Sequence, residues 1–212
     1  MEIVFITTNK NKVKEITDLA AAEAKDITIV HHDYDYPELQ LDEIESVARE
    51  SANYIREKRA IKTPFFLEDS GLLIHALKGF PGPFSAFVFN TIGNEGILKL
   101  MTDKRGEERK ATFKTVFAFS ESVNTAPRLF VGVTDGKITE KRRGAEGFGY
   151  DPIFEVEGKT FAERGREEKN EVSHRGRAFR KVLNWVLLHL RDFFRLKIGC
   201  YMAGLDIKLC RA

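Results

Sequence analysis

Apolar and polar positions follow two periods along this chain, and the switches between them mark its elements. Residues 2–7 form a short β-rich run closed by the polar Thr8-Asn9-Lys10-Asn11. From about Lys12, Val13, Ile16, Leu19 and Ala20 recur at helical spacing. Strand, polar turn, helix: that order puts the turn at a helix N-terminus, where free N–H groups and the dipole favour an anion. A second strand is expected over residues 27–31, then an irregular stretch over 34–41 around Pro37. Ile44, Val47, Ala48, Ala52 and Ile55 mark an amphipathic helix that ends in the charged Arg56-Glu57-Lys58-Arg59.

The apolar Phe65-Phe66-Leu67 reads as a buried strand with Glu68-Asp69-Ser70-Gly71 at its end. Gly79-Phe80-Pro81-Gly82-Pro83 is a turn-rich loop, and residues 95–101 look helical. In residues 111–119, Phe113, Phe117 and Phe119 alternate with smaller or polar positions, which predicts a strand with one buried face. Residues 129–133 and 137–139, joined by Thr134-Asp135-Gly136, read as a hairpin. Ala178, Phe179, Val182, Leu183, Val186 and Leu190 draw a C-terminal helix whose pattern fades at Gly199 and Gly204. These elements make a mixed α/β protein without repeats or an obvious linker. A body over residues 1–192 and a tail of unknown role over 193–212 are expected.

At 212 residues the chain can bury a full core. Its 34 basic and 32 acidic residues nearly balance, so any positive field must be local, and nothing demands nucleic acid or a membrane. Met1-Glu2-Ile3-Val4-Phe5 lacks a basic leader region, and no apolar run approaches the roughly 20 residues that span a bilayer. The two cysteines, Cys200 and Cys210, lack metal-ligand spacing, so a reducing cytoplasm is the simplest setting.

Three clusters carry chemistry. Thr7-Thr8-Asn9-Lys10-Asn11-Lys12 offers hydroxyls, an amide and ammoniums at a helix start, although a capped helix with surface lysines would read alike. Glu68-Asp69, beside a glycine turn, could hold Mg²⁺ against phosphate oxygens, with Glu38 a second oxygen ligand; the plain alternative is a pair of solvated acids. Gly147-Phe148-Gly149-Tyr150-Asp151-Pro152, Glu168-Lys169-Asn170 and Ser173-His174-Arg175 form the most informative stretch. Two glycines can present the Phe148 ring in an exposed position for stacking on a base, and the donors beyond can read the base edge or hold phosphate. His31, His32 and His75 have no partners at metal spacing, and Ser70 and Ser85 lack a hydrolase elbow.

Taken in order, these clusters resemble one family. Thr7-Thr8-Asn9-x-x-Lys12, Glu68-Asp69-Ser70-Gly71, Gly79-Phe80-Pro81-Gly82, residues 147–154, Thr160-Phe161-Ala162-Glu163, Glu168-Lys169-Asn170 and Ser173-His174-Arg175 match the inosine triphosphate pyrophosphatases, over about residues 1–190. The resemblance implies an elongated twisted mixed sheet with flanking helices, forming two lobes around a nucleotide cleft, and a homodimer. It implies Mg²⁺-dependent hydrolysis of the purine triphosphates ITP, dITP and XTP to monophosphate and pyrophosphate. By the same resemblance Thr7, Thr8, Asn9, Lys10, Asn11 and Lys12 hold the triphosphate, and Asp69 binds Mg²⁺ with Glu38 and accepts a proton. Ser70, Phe148, Gly149, Tyr150, Asp151, Lys169, His174 and Arg175 would contact substrate.

Two departures stand out. Many bacterial members carry a phosphate lysine in a Glu-Asn-Ala-x-x-Lys-Ala helix, but this helix reads Glu50-Ser51-Ala52-Asn53-Tyr54-Ile55-Arg56, more like the archaeal branch. Family members also normally stop near Leu190. A Maf-like pyrophosphatase of related fold is the nearest rival. A nucleotide- or RNA-binding module without turnover, using the basic residues around 169–181 and the tail, is the rival from another class.

Overall fold

The computed structural model describes residues 1–37 and 39–202, with side chains through His189. The chain begins with β1 (Glu2–Ile6), α1 (Lys10–Glu23) and β2 (Thr28–His32), followed by α2 (Ile44–Glu57) and β3 (Phe65–Ile74). It continues with α3 (Ser85–Leu100), β4 (Lys110–Ser120), β5 (Arg128–Ile138), β6 (Phe154–Val156) and β7 (Lys159–Thr160), and ends with α4 (Arg166–Val172) and α5 (His174–Met202). The described strands form one mixed sheet in the order β2-β1-β3-β4-β5-β6-β7. β1 pairs in parallel with both β2 and β3, and every later pairing is antiparallel. The mixed α/β architecture expected from the sequence is therefore present.

Strand alternation divides the central sheet between two helical layers. Phe5, Phe66, Phe117 and Phe119 face α1 and α5, where they pack on Ile16, Leu19, Phe179 and Val182. Ile6, Phe65, Leu67, Val116 and Ala118 face the other way onto Ile44, Ala48, Ala52 and Ile55 of α2. A third core gathers Leu72, Ile74, Val88, Ile97, Phe113, Phe154 and Phe161. β3 and β4 contribute to all three cores. These strands are the frame on which the ends of the molecule are hung.

Five elements differ from the sequence pattern. Residues 68–71 do not close the strand at Leu67, because β3 pairs with β4 from Phe65↔Ser120 to Ile74↔Ala111. Thr134-Asp135-Gly136 is not a turn: β5 runs through it, paired with β4 along the whole stretch. Gly136 serves a close approach instead, since a Cβ there would meet the Glu155 carbonyl oxygen at 2.3 Å. β4 has two covered faces where the pattern suggested one, and all its residues from Thr115 to Ser120 are buried. The 95–101 helix is the second part of α3, which begins at Ser85 and breaks its helical path at Gly93. α5 continues past residue 193 to Met202, and the rest of the expected tail, 203–212, lies outside the described residues. Among the described residues no helix is long and apolar enough to cross a membrane.

α5 meets β5 at Gly132, where a Cβ would stand 2.1 Å from the His174 carbonyl oxygen and 2.5 Å from the Ala178 nitrogen. No rotamer relieves a clash with backbone. Gly132→Ala should cost about 1–3 kcal/mol of unfolding free energy, the range for overpacking. Urea denaturation of the two proteins measures it, and equal midpoints would contradict the close packing.

Candidate active site

α1 starts where it does because Asn9 caps it. The Asn9 side-chain oxygen accepts from the Asn11 and Lys12 N–H groups, at 3.0 and 3.3 Å, and satisfies two donors of the first turn. The buried Thr7 hydroxyl accepts from the Asn9 N–H at 3.1 Å. Thr8, Lys10 and Asn11 are exposed. The turn is thus a rigid helix N-terminus with polar side chains around it.

Lys12 reaches from this helix to β3. Its ammonium donates to the Glu68 carbonyl oxygen at 3.3 Å and stands 3.5 Å from the Glu68 carboxylate. Glu68 is buried and accepts two bonds from Arg175, at 3.1 and 3.2 Å, and one from the Thr115 hydroxyl. Arg175 also donates to Glu15 at 2.6 Å and to the Ser70 hydroxyl at 3.4 Å. Glu15 accepts from Lys169 at 2.6 Å, and Lys169 donates onward to Asp151 at 2.7 Å. Three acids and three bases, from α1, β3, the turn before β6, α4 and α5, therefore form one continuous chain, buried except at the half-buried Lys12.

Desolvation of so many charges is expensive, and each is tolerable only because its partners stay in place. Burial opposes ionisation of Glu68, but the charges of Arg175 and Lys12 outweigh it and hold its pKa at about 2. Glu15 is lowered in the same way, against its burial, by Arg175 and Lys169. Burial pushes Asp151 up, with Lys169 working against the rise. For Arg175 burial favours the neutral form, yet Glu68 and Glu15 raise its pKa and keep it cationic.

The Phe148 turn joins the end of this chain. Gly147 and Gly149 have φ of 75° and 63°, and a Cβ on Gly147 would meet the Asp151 carboxylate at 2.1 Å. The Asp151 carboxylate accepts from the Phe148 N–H at 2.8 Å. The ring is half-buried rather than presented to solvent: Lys169 Nζ lies 4.9 Å and the Arg175 guanidinium 5.5 Å from its centre. α3 braces the turn, with Asn94 donating to the Gly149 carbonyl at 3.1 Å and the Tyr150 hydroxyl to the Ser85 carbonyl at 2.9 Å.

His174 opens α5 beside Arg175. Its ring stacks on Phe113, centres 4.5 Å apart and planes 6° from parallel, and is 3% exposed. Burial first, and then the Arg175 charge, hold its pKa well below the ordinary 6.5, so it is neutral at pH 7. Among the described residues its Nδ1 is buried without a hydrogen-bond partner. An unmet polar atom in a buried ring marks a place for a ligand's polar group.

Asp69 takes a different direction. Glu68 pairs with Phe117 and Asp69 with Val116, residues of opposite cores, so alternation turns Glu68 to the α1 and α5 side and Asp69 to the α2 side. Asp69 is half-buried there. Gly71, on the same face, lies against the Gly82 carbonyl, which a Cβ would meet at 2.2 Å. Glu38 lies outside the described residues. Among the described residues no group of three or more His, Cys, Asp and Glu could hold a metal by themselves. Mg²⁺ rarely needs one: it is commonly held by one or two carboxylates plus substrate phosphates and water, and a half-buried Asp69 fits that habit.

The structure thus gathers Lys12, Ser70, Phe148, Asp151, Lys169 and Arg175, with His174 alongside, and sets Asp69 on the other face. Glu15 was missing from the sequence-based set, although it is the link between Lys169 and Arg175. Its one signal is position: a carboxylate inside the apolar stripe, beside Ile16 and four residues before Leu19. The basic segment around 169–181 is not a free patch either. Arg177 and Lys181 donate to the Val133 and Val131 carbonyls of β5, and Arg180 pairs with Glu23 and Glu171. At the end of α2, Arg56 donates to Asn53, and Lys58 just beyond it lies over the Tyr54 ring, so both are engaged locally.

A family model described as the Ham1 family matches residues 3–185. A dITP/XTP pyrophosphatase from Methanosarcina mazei is 46% identical over 186 residues, which cover 88% of this chain and 97% of that protein. A dITP/XTP pyrophosphatase from Pyrococcus horikoshii is 45% identical over 193 residues, covering 90% and 100%. Among solved structures, a HAM1 protein from Coxiella burnetii superposes with a TM-score of 0.75 at 30% identity, covering 88% and 98% of the two chains. The Ham1 protein of Staphylococcus aureus gives 0.73 at 27% identity, with the same coverage.

Glu68, Glu15 and His174 share one sign of pH dependence, which the raised Asp151 opposes in part. Folded-state pKa values below the unfolded ones contribute stability that is complete above the unfolded pKa and lost as pH falls. Loss from His174 should begin below about pH 6.5, loss from Glu15 below its ordinary 4.5, and loss from Glu68 from 4.5 toward about 2. Urea midpoints measured from pH 8 to 3 should be flat at first and then fall, with His174→Gln removing the earlier part. A wild-type midpoint unchanged down to pH 4 would contradict the buried network.

Proposed function

The chain belongs to the Ham1 family, and on that footing we propose that it hydrolyses the purine nucleoside triphosphates dITP, XTP and ITP to the monophosphate and pyrophosphate, clearing them from the nucleotide pool. The observation that carries this reading is the continuous charge chain from Lys12 at the α1 N-terminus to Lys169 under Phe148. It joins an anion-favouring helix start to a ring able to stack on a base.

In this reading the Thr7 to Lys12 turn and Lys12 itself neutralise the triphosphate. A water attacks the α-phosphorus in line, the new P–O bond forms as the α–β bridge breaks, and pyrophosphate leaves with the bridging oxygen. Asp69 accepts the water's proton. Mg²⁺, held by Asp69 and Glu38, would supply charge neutralisation at the phosphates. Phe148 exchanges its present cations for the base. Lys169, Arg175 and the neutral His174 present polar atoms to the base edge, and a 6-carbonyl suits such donors where adenine's amino group does not. Each buried mismatch costs about 1–3 kcal/mol, so a few suffice for strong discrimination.

We also propose a homodimer. Phe80, Phe87 and Ile92 are 39%, 64% and 44% exposed and, with Phe84 and Val88, line an apolar groove of about 340 Å³ on α3 and the loop before it. A second copy would cover them. A cytoplasmic location follows the substrates.

Pyrophosphate release with Mg²⁺, measured across ITP, XTP, dITP, ATP, GTP and dTTP, tests the activity. Turnover of the first three is expected; no release from any of them would sink the reading, and preference for dTTP would favour a Maf-like enzyme. Asp69→Asn should lower kcat by at least about 10²–10⁴-fold, the usual share of a general base, with circular dichroism unchanged. For the dimer, Phe87→Asp should shift sedimentation from dimer to monomer; a wild type that sediments as a monomer would remove the proposal.

A further inference from the structure

β2 ends against the turn that opens α1. Its backbone reaches that turn where the His32 carbonyl accepts from the Thr7 N–H at 3.3 Å. A side chain reaches it too. His31 Nε2 lies 2.8 Å from the Thr7 carbonyl oxygen, and since a carbonyl only accepts, that nitrogen carries the hydrogen. Thr7 is consequently held at its N–H, its carbonyl and its hydroxyl, the last by Asn9.

The consequence lies in the next peptide. The Thr7 carbonyl and the Thr8 N–H belong to one planar trans unit, so they point in opposite directions. Fixing the carbonyl toward His31 fixes the Thr8 N–H away from it. Thr8 is exposed, and its N–H takes no acceptor among the described residues. It lies just ahead of the α1 N-terminus, where free N–H groups and the helix dipole together favour an anion.

We propose that His31 is a positioning residue for the triphosphate: through the Thr7–Thr8 peptide plane it aims the Thr8 N–H at a phosphate oxygen. His31 is exposed near the end of an edge strand, its backbone in the ladder opposite Phe5, and its side chain engages the fold through Thr7. The role rests on the phosphate assignment of this turn under the pyrophosphatase reading. It touches neither the base side nor the proton acceptor, so its loss should appear in binding of the phosphates and not in the chemical step.

The test compares wild type, His31→Ala and His31→Gln, the last keeping a donor of similar reach. Calorimetry with inorganic tripolyphosphate and Mg²⁺ reads the phosphate site directly, and ITP kinetics separate KM from kcat. His31→Ala should weaken tripolyphosphate and raise the ITP KM by about five- to tenfold, roughly the worth of one hydrogen bond, with kcat within about twofold. Inosine affinity should not move, and His31→Gln should return to within about twofold of wild type. Equal tripolyphosphate affinity in wild type and His31→Ala, or a glutamine variant no better than alanine, overturns the role of His31. Wild type that neither binds tripolyphosphate nor turns over ITP overturns the pyrophosphatase reading instead. On unmutated protein, the ¹⁵N signals of the His31 ring should shift as tripolyphosphate saturates, and signals that stay in place overturn the role as well.

Discussion

A carboxylate at Glu15, buried against two cations, is the constraint on which the rest of this site depends. Lys169 and Arg175, each 3% exposed, share it as a partner beside Asp151 and Glu68, and their charges outweigh burial to lower the Glu15 pKa. This pairing pins α4 and α5 to the second turn of α1. Arg175 then carries the constraint to Glu68 in β3, and Lys169 carries it to Asp151 under the Phe148 turn. Elements far apart in sequence are thereby held in one register by charges that cannot be separated cheaply.

The same arrangement divides labour across the sheet. Because β3 continues through residues 68–71, adjacent carboxylates serve opposite faces: Glu68 is spent inside the ion chain and Asp69 is left on the α2 side. The two adjacent acids therefore stand in different environments. In the proposed mechanism the first fixes the scaffold and the second accepts the proton.

Much of this was legible because local chemistry and tertiary role coincide. The Asn9 cap, the strand before it and the stripe of Ile16, Leu19 and Ala20 speak for α1 without help from the rest of the fold. Gly147 and Gly149 announce an unusual backbone, and that is what they supply. Elsewhere a local signal served a distant contact. Thr134 and Gly136 read as turn residues, yet the Thr134 hydroxyl donates to the Val172 carbonyl and Gly136 lets β6 approach. Glu15 and Asn94 gave almost no signal, because a single polar residue in a helix takes its meaning from partners far along the chain. The orientation of Phe148 over Lys169 and Arg175 was likewise invisible without the ion chain beneath it.

In the proposed mechanism one ion chain ties base selection to the rest of the site, and Glu15 is its middle link. Glu15→Gln keeps the shape but removes the charge between Lys169 and Arg175. The decisive measurement is the ratio of kcat/KM for ITP to that for ATP in folded Glu15→Gln against wild type. This ratio should fall by about tenfold or more, since misaligned base-facing donors lose roughly one good contact. A folded variant with an unchanged ratio would contradict that coupling.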